Sequence, residues 1–193
     1  MLALTGELAD GLFLSFVGPT GVPALVEATQ EAALRHQGRT AEVGHRILVP
    51  FPGEDGRALD RARDLLVAYS RVDIDKAMFE RVGSAAETDR VAALARRGDR
   101  EGARRAVSDD LLAEFFVVGT PEEQYRRLGD YVRGGVTLPL LAFFPPPDDP
   151  TSQHEYVSEA LAWFGTRWRA DRERVVHPAG SVPGGGDHDD HRR

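Results

Sequence analysis

The chain has 193 residues, of which 41% are hydrophobic and 28% charged, which suits one globular domain with a substantial core. Its net charge of −7 argues against a nucleic-acid partner, which would need a dense basic surface, and the arginines alternate with acids on expected helices. Without cysteine there is neither a disulfide nor a thiolate metal site, and no apolar run approaches the roughly 18 residues of a membrane span. A cytoplasmic protein without a membrane partner is expected.

The first fifteen residues read as a short amphipathic stretch, a turn at Ala9-Asp10-Gly11 and an apolar run. That is the middle of a helix–turn–strand unit. Gly11 to Phe16 suits a buried strand. Val22, Leu25, Val26, Thr29 and Ala33 then recur at helical spacing, and this helix ends near Gly38. A second strand is expected over His45 to Phe51, stopped by Pro50-Phe51-Pro52-Gly53, and a helix follows with Ala58, Ala62, Leu65, Leu66 and Tyr69 on one face.

Beyond Arg71 the rhythm changes to a helical insertion between two βα-type units. Ile74, Met78 and Val82 mark one short helix; Val91, Leu94 and Ala95 mark another. Residues 96–107 are too polar for a strand, and Ser108 offers a helix cap before Leu111, Leu112 and Phe115. Thr120-Pro121-Glu122-Glu123 is a capping box with proline at the first helical position. Tyr125, Leu128 and Val132 form the expected buried stripe, and Gly134-Gly135 ends that helix in a left-handed cap. Val136 to Phe143 is the third expected strand, in which Pro139 needs an unpaired edge or a bulge. After a proline-rich loop from Phe144 to Pro150, a last helix carries Val157, Leu161, Phe164 and Trp168. Residues 1–172 are read as the folded part, and 173–193 as a disordered tail rich in Gly, Asp and His.

Local motifs favour plain readings. Gly18-Pro19-Thr20-Gly21 lies where a phosphate loop would sit, but lacks both the Lys-Ser/Thr pair and three-glycine spacing. A tight βα turn with a helix N-cap is favoured. The six histidines show no paired metal-ligand spacing. Asp187 to His191 offers a weak ligand set, but on the tail. Glu7 and Asp10 read as helix surface and turn-former, and no Ser elbow is present. Tyr69, Phe164 and Trp168 fall on helix core stripes. Phe51 and the Phe143-Phe144 pair fall at or just past strand C-terminal ends, where a pocket wall and core capping both remain open.

Taken together, Leu4-Thr5-Gly6-Glu7-Leu8-Ala9-Asp10-Gly11, the run Leu59 to Leu66, and Gly119-Thr120-Pro121-Glu122-Glu123 leading to Gly134-Gly135-Val136 carry a resemblance. In this order and spacing, from about Met1 to Trp168, the chain resembles the C-terminal part of luciferase-like flavin or deazaflavin oxidoreductases. Residues 65–70 and 99–106 look most like the branch that uses coenzyme F420, with FMN the alternative. The resemblance implies an α/β fold, a partial (β/α)8 TIM-type barrel holding about the last three strands, and hydride transfer to or from a small organic substrate. It places Ser15 and Phe16 on the cofactor side. Phe51, Phe144 and the loop Gly53-Glu54-Asp55 would face cofactor or substrate, and catalytic residues and metals are not specified. The family's phosphate-gripping loop would precede Met1, so this chain alone is expected to bind F420 or FMN weakly or not at all. Either Met1 is an internal methionine, or a partial barrel completes itself by self-association or by pairing with the missing half. A non-catalytic α/β module associating through open strand edges is the alternative function.

Overall fold

Three strands run parallel in the order β1 (Gly11–Ser15), β2 (Glu42–Val49) and β3 (Leu138–Phe143), so β2 is central and both others are edges. The computed structural model describes residues 1–51, 57–72, 79–80, 84–143 and 150–176. Its described helices are α1 (Leu2–Leu8), α2 (Val22–Gln37), α3 (Arg57–Tyr69), α4 (Ala85–Arg96), α5 (Arg100–Arg105), α6 (Asp109–Phe115), α7 (Pro121–Arg133) and α8 (Pro150–Val176). Helix α2 crosses from β1 to β2, as a parallel pair requires. β2 begins three residues before the expected His45, and β3 two residues after the expected Val136. Pro139 lies on the edge strand β3, where its missing N–H leaves no gap in a central ladder.

Alternation along the strands sorts side chains onto two faces. Leu14, Val43, Ile47, Val49, Leu141 and Phe143 face a first core, completed by α2, α7 and α8 through Val22, Val26, Leu128, Tyr131 and Phe164. On the other face, Leu48 and Ala142 join a second core with α3 and the insertion helices, built on Leu66, Phe79, Val91, Leu112, Phe115 and Phe116. Phe116 also forms an isolated parallel bridge with Leu48, and the Val117 N–H donates to the Leu48 carbonyl at 2.9 Å. The insertion is thereby tied to the central strand. Toward its N-terminal end this second face is open: Phe13 is 61% exposed, Leu138 47% and Leu140 42%.

Helix starts follow local chemistry. Ser108 caps α6 by accepting from the Leu111 N–H. At α7, Thr120 accepts from the Glu123 N–H at 3.3 Å and the Glu123 carboxylate accepts from the Thr120 N–H at 2.9 Å, with Pro121 in the first turn. The Thr120 N–H, and after it the Thr120 hydroxyl, donate to the exposed Glu123 carboxylate and hold it below its usual range. The helix stops at Gly134, which stays right-handed, and Gly135 supplies the positive φ of 102°.

Two buried stripes are rotated from expectation. In α7 the buried residues are Gln124, Leu128 and Tyr131, while Val132 faces solvent. In α8 they are Tyr156, Ala160 and Phe164, with Leu161 and Trp168 left exposed. In each case a polar or amphipathic side chain goes inward because its hydrogen-bonding group meets a backbone carbonyl there. The expected short helix at Ile74, Met78 and Val82 lies outside the described residues, as does the expected 173–193 tail from 177 onward; residues 173–176 are instead the end of α8. Among the described residues no helix is long and apolar enough to cross a membrane.

Thr120→Ala should lower the unfolding free energy in a urea titration by about 1 kcal/mol, the usual value of an N-cap. An unchanged midpoint would mean that the capping box does not set the start of α7.

Candidate functional site at the strand C-terminal ends

Ser15, the last residue of β1, is exposed on the open face of the sheet. The next residue, Phe16, takes a left-handed φ of 59°, unusual for a residue with a bulky side chain. That turn drives its ring away from solvent. It stacks on Phe115 at 4.5 Å and 13°, lies 4.3 Å from Tyr69 and meets Phe79 edge-on at 6.0 Å. Strain of about 1–3 kcal/mol is offset by this aromatic packing. Phe16 is therefore 5% exposed, inside the second core, while Ser15 beside it is open.

Three main-chain carbonyls just past the strands are each held by a buried side chain from another element. His45, on β2, uses Nε2–H to donate to the Val17 carbonyl at 2.9 Å. Gln124, on α7, donates Nε2–H to the Pro50 carbonyl at 2.9 Å. The Tyr156 hydroxyl, on α8, donates to the Phe51 carbonyl at 2.7 Å. Among the described residues, His45 Nδ1 and Gln124 Oε1 are buried without a hydrogen-bond partner. Burial lowers the His45 pKa, only partly opposed by the Val17 carbonyl, and raises that of the Tyr156 phenol. The Phe51 ring turns to the first core, 4% exposed and edge-on to Tyr156 and Phe143. Phe144 and the loop Gly53-Glu54-Asp55 lie outside the described residues.

The loop after β1 belongs to the insertion rather than to a phosphate. A Cβ on Gly18 would stand 2.1 Å from the Glu114 carbonyl oxygen, and the Thr20 hydroxyl donates to the Glu114 carboxylate at 2.6 Å. A carboxylate thus fills the approach to the start of α2, where a bound phosphate would be repelled. The tight-turn reading of Gly18-Pro19-Thr20-Gly21 stands, but Gly21 caps α2 with no side-chain hydrogen bond.

On the open face, Phe13 lies against Gly44, whose missing Cβ would sit 3.0 Å from the ring. Above it, strand register aligns Ser15, Arg46 and Leu140 in one row. Arg46 is exposed, and no ion pair holds it among the described residues. Elsewhere Asp10 is paired with Arg39, and no cluster of metal-ligating side chains occurs among the described residues. Sequence patterns did not single out Arg46, His45, Gln124 or Tyr156. A lone arginine among apolar strand residues was the available signal for the first, whereas the others are identified only by tertiary hydrogen bonds.

Three parallel strands with helices packed against them define an α/β protein. Residues 1–138 match the family described as luciferase-like monooxygenase, and the chain belongs to that family. It is 24% identical over 152 residues to the 5,10-methylenetetrahydromethanopterin reductase of Methanopyrus kandleri, covering 77% of this chain and 43% of that protein. The solved coenzyme F420 dependent tetrahydromethanopterin reductase of Methanopyrus kandleri superposes with a TM-score of 0.65 at 21% identity, over 79% of this chain and 44% of that one. An F420-dependent secondary alcohol dehydrogenase, solved with an F420-acetone adduct, gives 0.53 at 15%, over 84% and 45%. The chain thus spans less than half the length of these relatives.

His45 predicts a pH dependence. Its folded pKa lies below the model-compound value of about 6.5, so the unfolded state binds more protons and stability rises with pH. The contribution is full at neutral pH and is lost as pH falls below about 6.5, by up to about 1.4 kcal/mol per unit. Urea titrations between pH 7 and 5 should show this slope in the native chain and not in His45→Gln. Equal slopes would contradict a buried neutral imidazole.

Proposed function

We propose that this chain forms part of an F420-dependent oxidoreductase of the luciferase-like family, contributing the last strands of a (β/α)8 barrel. Its activity is hydride transfer to or from a small organic substrate. The observation that carries this reading is the gathering of the C-terminal ends of three parallel strands beside an open face, in a chain whose similar solved structures are F420-dependent enzymes. F420 is favoured over FMN because both of these solved structures are described as F420-dependent.

The residues present fit one side of a planar coenzyme. Phe13 over Gly44 and Leu140 make an apolar floor, and Ser15 offers a hydroxyl at its upper edge. When bound, the coenzyme supplies the hydride chemistry. The protein's work is to orient and exclude water. Phe16 closes the end of β1 with its ring in the insertion core, and the carbonyls of Val17, Pro50 and Phe51 are fixed by His45, Gln124 and Tyr156. A site on so restrained a frame keeps its geometry during turnover. Phe51 acts in this scheme through its backbone, and Phe144 remains the proposed substrate contact.

The second reading is a non-catalytic module that associates through its open edges, with a second copy or with complementary strands. It is favoured by the exposure of Phe13, Leu138 and Leu140 on a parallel sheet, a sheet type that is usually covered on both faces.

A fluorescence titration of the purified chain with F420 and with FMN tests the enzyme reading. Saturable F420 binding weaker than low micromolar, and weaker still for FMN, is expected, since the described residues include only part of the contacts a barrel would offer. Absence of saturable binding by either coenzyme would favour the second reading.

A further inference from the structure

Arg46 is an exposed cation with no ion-pair partner among the described residues. Its neighbours on the open face are Ser15 and Leu140 across the strands and Gly44 and Leu48 along its own. Phe13 and Leu138 extend the exposed apolar surface below it, while Leu48 and Ala142 above are covered by the second core. The acidic residue on that face of β2 is Glu42, four residues back and so roughly 13 Å along the strand, and no ion pair joins the two. Three arginines elsewhere do have acidic partners. Arg104 makes two bonds to Asp64 at 2.9 and 2.7 Å, Arg63 reaches Asp109 at 2.8 Å, and Arg39 pairs with Asp10.

We propose that Arg46 and Ser15 form an oxyanion-binding pair, accepting a carboxylate or phosphate oxygen at the upper end of the open sheet face. The guanidinium offers several N–H donors in a planar fork that matches two oxygens of such a group. The Ser15 hydroxyl, its register partner on β1, adds a donor on the same face. The Phe13 and Leu140 surfaces lower the local dielectric when a ligand covers them, which strengthens the pairing. An arginine closed inside a barrel without an anion would be costly, so the position itself calls for a negative partner. The inference rests on the open face being the ligand side, but not on which coenzyme is used. The oxyanion belongs either to the coenzyme or to the substrate.

NMR of the native chain provides the test, following the Arg46 side-chain Nε–H and the Ser15 amide during titration with inorganic phosphate and, separately, acetate. Saturating shifts at millimolar anion are expected, with affinity at least tenfold weaker in Arg46→Gln and several-fold weaker in Ser15→Ala. Other exposed arginines should drift linearly. A parallel F420 titration separates the sources. If F420 displaces phosphate from Arg46, the coenzyme supplies the oxyanion; if phosphate saturates while F420 leaves Arg46 unmoved, the substrate does. Linear shifts at Arg46, or saturation unchanged in Arg46→Gln, would overturn the proposal. Because the small anions are read without F420, failure of coenzyme binding leaves this result standing on its own.

Discussion

A parallel sheet exposes no face cheaply. Its crossover helices leave the strands apolar on both sides, and each side must be covered to keep that area from water. In this chain one face is closed by α2, α7 and α8. The other is closed only at its C-terminal end, where α3 and the insertion pack over Leu48 and Ala142. The remaining architecture follows from that asymmetry. The insertion must be anchored to the sheet, which the Leu48–Phe116 bridge and the Glu114 contact with Gly18 and Thr20 accomplish. The uncovered part is left as a surface bearing Phe13, Ser15, Arg46, Leu138 and Leu140.

The same constraint explains why polar side chains enter the core. Where strands end, their carbonyls lose ladder partners but remain under helices, and a buried carbonyl without a donor is expensive. His45, Gln124 and Tyr156 supply those donors at Val17, Pro50 and Phe51. These fixed points lie at the strand C-terminal ends, the face where barrel enzymes place their chemistry. Two hydrogen-bonding atoms, His45 Nδ1 and Gln124 Oε1, find no partner among the described residues, a cost of that arrangement. At β1 the restraint is steric as well. Phe16 accepts a left-handed backbone so that its ring can reach Phe115 and Tyr69.

Much of this frame is legible in the sequence, for identifiable reasons. Continuous apolar runs between turn residues marked all three strands, and the Thr120–Glu123 pair marked the start of α7 because the capping box is a local interaction. What escaped was tertiary. Spacing alone assigned Val132, Leu161 and Trp168 to buried stripes, yet Tyr131 and Tyr156 turn inward instead, and Leu161 and Trp168 line an apolar groove of about 540 Å³ beside β3. Gln124 reads as surface until the Pro50 carbonyl is placed beside it. Of the residues expected at the site, Ser15 lies on the open face, Phe16 and Phe51 are packed in the two cores, and Phe144 falls outside the described residues. Arg46 went unnoticed because a single charge in an apolar strand has no motif, only a position.

The proposed function requires that the open face and the β1 and β3 edges be covered by further strands. Size-exclusion chromatography with light scattering, combined with a dye that reports exposed apolar surface, measures this most directly. The account predicts species heavier than the 21.1 kDa chain, or a monomer that binds dye strongly and loses that binding in Phe13→Ser/Leu140→Ser. A monodisperse 21.1 kDa monomer without dye binding would contradict it.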